Sequence, residues 1–167
     1  GCDLGIVNIL ADSDGETYAG GRLNGLRRRH AKLRRRLQKK GTRSAKRLLR
    51  HRRRKENRFA RDMNHCISKK VVAKAGRHSL GIALEDLEGI RERTVVRRSQ
   101  RRQHHAWAFD QLRQFIEYKA ALAGVPVALV DPRNSSRTCL QCGSVDKANR
   151  PSRDRFQCVS CGFSGPA

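Results

Sequence analysis

The sequence predicts an α/β domain with a mixed sheet, followed by a small module held together by cysteines. Three observations predict it. Short apolar runs bounded by turn residues alternate with stretches of helical periodicity. An arginine-dense stretch with leucines at helical spacing separates the first of these runs from the next, and two Cys-x2-Cys pairs lie near the C-terminal end. A chain of 167 residues has room for one ordinary core and a small appendage but not for two large domains. The division is placed at 1–135 and 136–167.

Cys2 to Ala11 is apolar apart from Asp3 and Asn8, which predicts one strand. Asp12-Ser13-Asp14-Gly15 then makes a turn, Thr17 to Ala19 a second strand, and Gly20-Gly21 breaks the pattern. A basic helical hairpin is predicted over about 24–75. Leu26, Leu33 and Leu37 recur at helical spacing, Gly41-Thr42 interrupts, and Leu48, Phe59, Met63 and Ile67 continue the apolar stripe on a second helix starting near Ser44. Leu80 to Asp86 is a short apolar run ending in acids, read as a buried strand. Gly89 to Gln103 is polar and basic. Residues 104–123 carry Phe109, Leu112, Ile116 and Ala123 on one helical face, and Gly124 ends that helix. Val125 to Val130 is the last strand of the domain, with Pro126 tolerated at its entry.

Thirty-eight Lys and Arg against 15 Asp and Glu leave a net charge of +23, which repels itself in a compact fold unless a polyanion is near. Between Arg27 and Arg58 there are 18 Lys or Arg and one acid, Glu56. Arginine dominates and grips phosphate with two N–H groups at once, so nucleic acid is the expected partner. The residues expected to bind it are Arg27, Arg28, Arg29, Arg34, Arg35, Arg36, Lys39, Lys40, Arg43, Lys46, Arg47, Arg50, Arg52, Arg53 and Arg54. A membrane is excluded as partner by the lack of a spanning apolar run or a strongly amphipathic apolar face.

Cys139, Cys142, Cys158 and Cys161 form a Cys-x2-Cys-x15-Cys-x2-Cys array, four soft ligands suited to one tetrahedral zinc ion. Gly143 and Gly162 follow the second cysteine of each pair, where glycine lets backbone amides approach a sulfur. Two disulfides are the alternative, disfavoured because no segment resembles a signal peptide; the thiols fit a reducing cytoplasm. A site closed by four thiolates is structural and supplies no chemistry. Cys2 and Cys66 lie far from any second pair and read as small core residues.

Chemistry must come from acids. Asp3 lies in an apolar strand between Gly1 and Gly5, and a buried carboxylate needs a hydrogen-bond partner or a cation. Glu85 ends a second apolar strand. If the two strands are sheet neighbours their carboxylates converge, and Mg²⁺ held there would activate water for in-line attack on a phosphodiester. A surface or helix-terminal role for Glu85 is equally compatible with the spacing. Asp86 and Glu88 compete with Glu85 but belong to the following turn. Asp131 before Pro132 reads as a turn or capping acid, His104-His105 as solvent-facing, and Trp107 as core.

Taken together, Gly1-Cys2-Asp3-Leu4-Gly5, the Arg/Lys-rich insert, Ala83-Leu84-Glu85-Asp86-Leu87, Val130-Asp131-Pro132-Arg133-Asn134-Ser135-Ser136-Arg137-Thr138-Cys139 and Asp146-Lys147-Ala148-Asn149-Arg150 resemble the RuvC-type nuclease domain of TnpB (OrfB) transposon proteins. Type V CRISPR effectors share that domain. The resemblance implies an RNase H-like fold in an RNA-guided DNA endonuclease, with Mg²⁺ at the catalytic acids and DNA and a guide RNA as partners. On it, Asp3 matches the first catalytic acid and Glu85 the second. The family's third acid is an Asp several residues after the last cysteine pair, and Cys161 to Ala167 stops where it is expected. The family's RNA-binding and target-recognition lobes precede the position of Gly1. These 167 residues alone are therefore expected to cleave little or nothing, with a nuclease-dead DNA-binding protein as the alternative.

Overall fold

The computed structural model of the chain describes residues 1–87, 109–152 and 155–166. The expectations for Glu88, the stretch Gly89 to Gln103, His104, His105 and Trp107 lie outside the described residues. The chain divides into two compact units, Gly1–Val130 and Asp131–Ala167.

The first unit is built on a five-stranded mixed sheet with strand order β3-β2-β1-β4-β5. Its strands are β1 (Cys2–Asp3), β2 (Asn8–Asp12), β3 (Thr17–Ala19), β4 (Ile82–Glu85) and β5 (Val127–Val130). β1, β2 and β3 pair antiparallel in succession, whereas β4 runs parallel to both β1 and β5. The single opening strand expected over Cys2 to Ala11 is in fact two strands that pair with each other, Cys2 opposite Asp12 and Asp3 opposite Ala11. Gly5 makes the reversal: its N–H donates to Ile9 O (3.3 Å), and a Cβ there would lie 2.7 Å from Asn8 O, a contact no side chain tolerates. Gly15, at φ 86°, closes the β2–β3 turn as the sequence predicts.

Three helices accompany the sheet among the described residues: α1 (Gly21–Lys40), α2 (Arg43–Arg77) and α3 (Phe109–Leu122). Gly41, at φ 66°, ends α1 by returning its N–H to Leu37 O, and the Thr42 hydroxyl accepts from Ala45 N to start α2. The hairpin stripe differs from expectation by one residue, since Leu48 is 40% exposed and Leu49 lies inward, one turn from buried Ala45. Further along, Ala60, Ile67, Val71, Val72 and Ala75 of α2 meet Phe109, Leu112, Ile116 and Ala120 of α3 over Leu10, Ile82 and Leu84 of the sheet. Ala120 takes the inward place expected for Ala123, which is exposed, because 109, 112, 116 and 120 continue the 3.6-residue period. Each large buried side chain contributes roughly 1.5–3 kcal/mol. Cys66 points out of this layer and is exposed, contrary to the core role expected of it, while Cys2 is half-buried.

The second unit carries the antiparallel pair β6 (Arg155–Gln157) and β7 (Ser164–Pro166), a 3-10 turn at Lys147–Asn149, and a core of Cys139, Phe156 and Cys158 with Phe163 against it.

Candidate functional site

Asp3 and Glu85 end two strands that are parallel neighbours. Cys2 lies opposite Leu84 in the β1–β4 register, so one step along both strands sets Asp3 beside Glu85. Cys2 and Leu84 face the helical layer, and alternation turns the two acids to the other side of the sheet. There they border an open depression of about 370 Å³ with Ala11, Ala83 and Val130. Asp3 is exposed rather than buried as its apolar strand suggests, and Glu85 is half-buried. The neighbouring Asp86 is drawn to α3, where Arg113 Nη1 donates to its Oδ1 at 2.9 Å, and its N–H donates to Val130 O at 2.8 Å. Asp131 holds its own turn, accepting from Arg133 N (2.9 Å) and pairing with the Arg133 guanidinium at 2.7 Å, as a turn acid should.

Beside the depression, the β2–β3 turn is clamped to α2 by one lysine that the sequence gives no reason to single out. Lys74 Nζ lies 2.6 Å from Asp12, 2.8 Å from Asp14 and 3.5 Å from Glu16. Asp12 also accepts from the N–H groups of Glu16 (2.8 Å) and Asp14 (3.1 Å). The Lys74 hydrogen bond, helped by these amides, holds the Asp12 carboxyl below its ordinary range. Lys74 is raised in turn, chiefly by its bonds to Asp12 and Asp14. Burial, together with Glu16, pushes the Tyr18 phenol up to about 12.

In the second unit the four cysteine sulfurs lie within 4.8 Å of one another. Cys139 Sγ is 3.6 Å from Cys161 Sγ, and Cys142 Sγ is 3.6 Å from Cys158 Sγ. A disulfide would need about 2.05 Å. All four are free thiols that could hold one metal ion. The two pairs sit on matching turns, with Gly143 N donating to Cys139 O (2.9 Å) and Gly162 N to Cys158 O (3.1 Å), both glycines at positive φ. Donation from the amides of Cys161 and Ser160 draws the Cys158 thiol down to about 6 despite its burial. Asn149, fully buried, ties the turns together: its Nδ2 donates to Arg137 O and Ser144 O, and its Oδ1 accepts from Val159 N at 2.9 Å. Its burial is a feature that cysteine spacing does not signal.

The basic residues of the hairpin divide into two groups. Arg28, Arg29, Arg34, Arg35, Arg36, Lys39 and Lys40 of α1 are exposed, as are Arg43, Lys46, Arg47, Arg50, Arg53 and Arg54 of α2. Arg27 and Arg52 turn inward instead. Arg27, its side chain 11% exposed, pairs with Glu56 at 3.7 Å, and His30 Nδ1 lies 3.3 Å from the same carboxylate. The seam between α1 and α2 is therefore partly ionic, and Glu56, the one acid of the basic run, is spent on holding it.

Comparison with known proteins agrees with this architecture. Residues 109–167 match the family described as Cas12f1-like, TNB domain. The chain is 34% identical over 110 residues to the CRISPR-associated endodeoxyribonuclease Cas12f1 of Sulfoacidibacillus thermotolerans, covering 65% of this chain and 25% of that protein. It is 36% identical over 109 residues to a TnpB-like protein of Methanocaldococcus jannaschii, covering 64% of this chain and 38% of that one. In fold it matches a chain of the cryo-EM structure of the Cas12f1–sgRNA–target DNA complex with a TM-score of 0.72 at 20% identity, over 98% of this chain and 45% of that one. A CRISPR-Cas12f ternary complex gives the same TM-score, 0.72, at 21% identity, over 99% of this chain and 36% of its counterpart. The chain thus spans less than half the length of each of these relatives. The chain is thus similar in sequence to TnpB-like and Cas12f proteins, over its C-terminal module above all, and Cas12f-like in fold.

Proposed function

We infer that the chain is the RuvC-like, RNase H-like domain of a transposon-associated, RNA-guided DNA endonuclease, and that residues 136–167 form a zinc ribbon. The observation that carries this reading is the adjacency of Asp3 and Glu85 at the ends of parallel strands, on the sheet face opposite α1, α2 and α3. Two carboxylates in an open, solvated depression suit Mg²⁺, a hard cation that keeps much of its water and takes one or two acids. Asp3 and Glu85 would hold it. When bound it supplies an activated water and neutralises charge on the leaving oxygen. Lys74 offsets only part of the charge of the nearby turn, whose Asp12 also borders the depression and adds to the negative field that would draw a cation there.

Zinc fits the four thiols: a tetrahedron with Zn–S of about 2.3 Å has edges of about 3.8 Å, close to the 3.6 Å separations found. It would be structural, and the free cysteines suit a reducing cytoplasm. DNA and guide RNA as partners are supported by the sgRNA and target DNA in the complexes of the fold relatives and by the net charge of +23. The exposed cations of α1 and α2 would hold backbone phosphates and so confer affinity without sequence choice.

The test uses the full-length protein with its guide RNA. Asp3→Ala and Glu85→Ala should each reduce Mg²⁺-dependent cleavage of a matched DNA duplex to the metal-free level while guide-dependent binding persists. Cleavage surviving both substitutions would overturn the assignment. Binding without cleavage by the unsubstituted protein would mark it as a nuclease-dead DNA-binding protein.

A further inference from the structure

On α2 the basic residues are not evenly spread. Arg47, His51, Arg54, Arg58, Arg61 and His65 follow one another at alternating steps of four and three, so they form a single row along one face of the helix. The first five are exposed and His65 is half-buried. The row rises about 27 Å from Arg47 to His65. It ends against rings. His65 stacks on Phe115 of α3 with centroids 4.0 Å apart, and Phe115 meets Tyr118 edge-on at 6.0 Å.

Tyr118 is 44% exposed, and Leu122, one turn further along α3, is 84% exposed. These two form a small apolar surface on a helix that otherwise buries its large apolar residues. Lys119 Nζ lies 5.7 Å from the centroids of both Phe115 and Tyr118, anchored by donating to His65 O (2.8 Å) and Ser68 Oγ (2.6 Å). Lys69 is exposed nearby, close enough for its charge to act on Lys119. An uncharged protein surface would meet this rim of cations unfavourably. A polynucleotide matches both parts, offering phosphates to the row and the π-face of an unpaired base to the ring.

We propose that Tyr118, braced by Phe115 and flanked by Leu122, is a stacking platform for an unpaired base of a polynucleotide strand whose backbone follows the α2 arginine and histidine row from Arg47 to His65. The platform belongs to the helical layer, whereas Asp3 and Glu85 face the other side of the sheet, so the platform lies apart from the acids. The inference rests on the polyanion-binding part of the function proposed above and is independent of the nuclease part.

The test is fluorescence anisotropy of the full chain with a short single-stranded homopolymer and with an abasic oligomer of equal length, across a salt series. Tyr118→Ala should weaken binding of the homopolymer about tenfold. It should leave the salt slope and the abasic oligomer unchanged, and Tyr118→Phe should restore affinity. Replacing Arg54, Arg58 and Arg61 by Gln should instead flatten the slope by about two units for both oligomers. An effect of the arginines with none of Tyr118→Ala overturns the platform and leaves polyanion binding standing; no effect of either overturns both. Self-association lost in Tyr118→Ala, with nucleic-acid binding intact, overturns the proposal in favour of a second copy of the chain. Thermal unfolding monitors folding, and the exposed Leu122→Gln gives the same reading should Tyr118→Ala fail to fold.

Discussion

Lys74 stands where three acids of one turn meet a helix, and its protonation is tied to theirs. The depressed pKa of Asp12 gives stability that is present above its unfolded value of about 4 and lost as pH falls through the lower folded one. The raised pKa of Lys74 gives stability that is complete below about 10.5 and lost as pH rises through the folded value above it. The clamp is therefore intact from about pH 4 to about pH 10. Lys74→Met should lower the melting temperature at pH 7 and shrink the further fall between pH 7 and pH 3, as followed by circular dichroism. A variant with the unsubstituted protein's full acid loss would show that the clamp carries no linkage.

The elements show what a one-dimensional reading can and cannot reach. Helix starts and stops were legible at Gly41, Thr42 and Gly124 because the signals are local: positive φ at the two glycines and a hydroxyl over a free amide at Thr42. The parallel placement of β1 beside β4 follows no local signal, and with it goes the pairing of Asp3 with Glu85, which the residues alone left open. The split of the opening strand was hidden because nothing apolar marks it, only the close approach of Gly5 to the Asn8 carbonyl. Arg27 on α1 and Arg52 and Cys66 on α2 went against residue type for a related reason: on a long helix the angular position decides burial, and 3.6-residue phase outweighs polarity. Gly5→Ala tests the strand reversal. It should cost about 1–3 kcal/mol in denaturant unfolding, since the backbone must shift to admit the new Cβ; an unchanged midpoint would show that the β1–β2 connection yields freely.

The whole molecule is two units with different sources of stability. Gly1–Val130 buries a broad core of helix and sheet side chains, whereas Asp131–Ala167 buries Cys139, Phe156 and Cys158 with little else. A core of that size does not hold a fold alone, so the zinc proposed above would be its main support. Stripping the metal with a strong chelator is expected to open amide exchange across 131–167 while the helical circular dichroism of α1, α2 and α3 stays constant. Loss of helical signal in parallel would mean that the two units unfold as one.

The parallel pairing of β1 with β4 also orders events in time. Asp3 and Glu85 are separated by 82 positions, and nearly all of the chain between them folds on itself as a turn and a helical hairpin. Contacts close in sequence form before distant ones, because a long segment loses more freedom when its ends are brought together. As the chain leaves the ribosome, the exposed cations of α1 and α2 are in place before Glu85 reaches Asp3. On the function proposed above, the hairpin that would hold a polyanion is then complete before the two acids that would cut it meet.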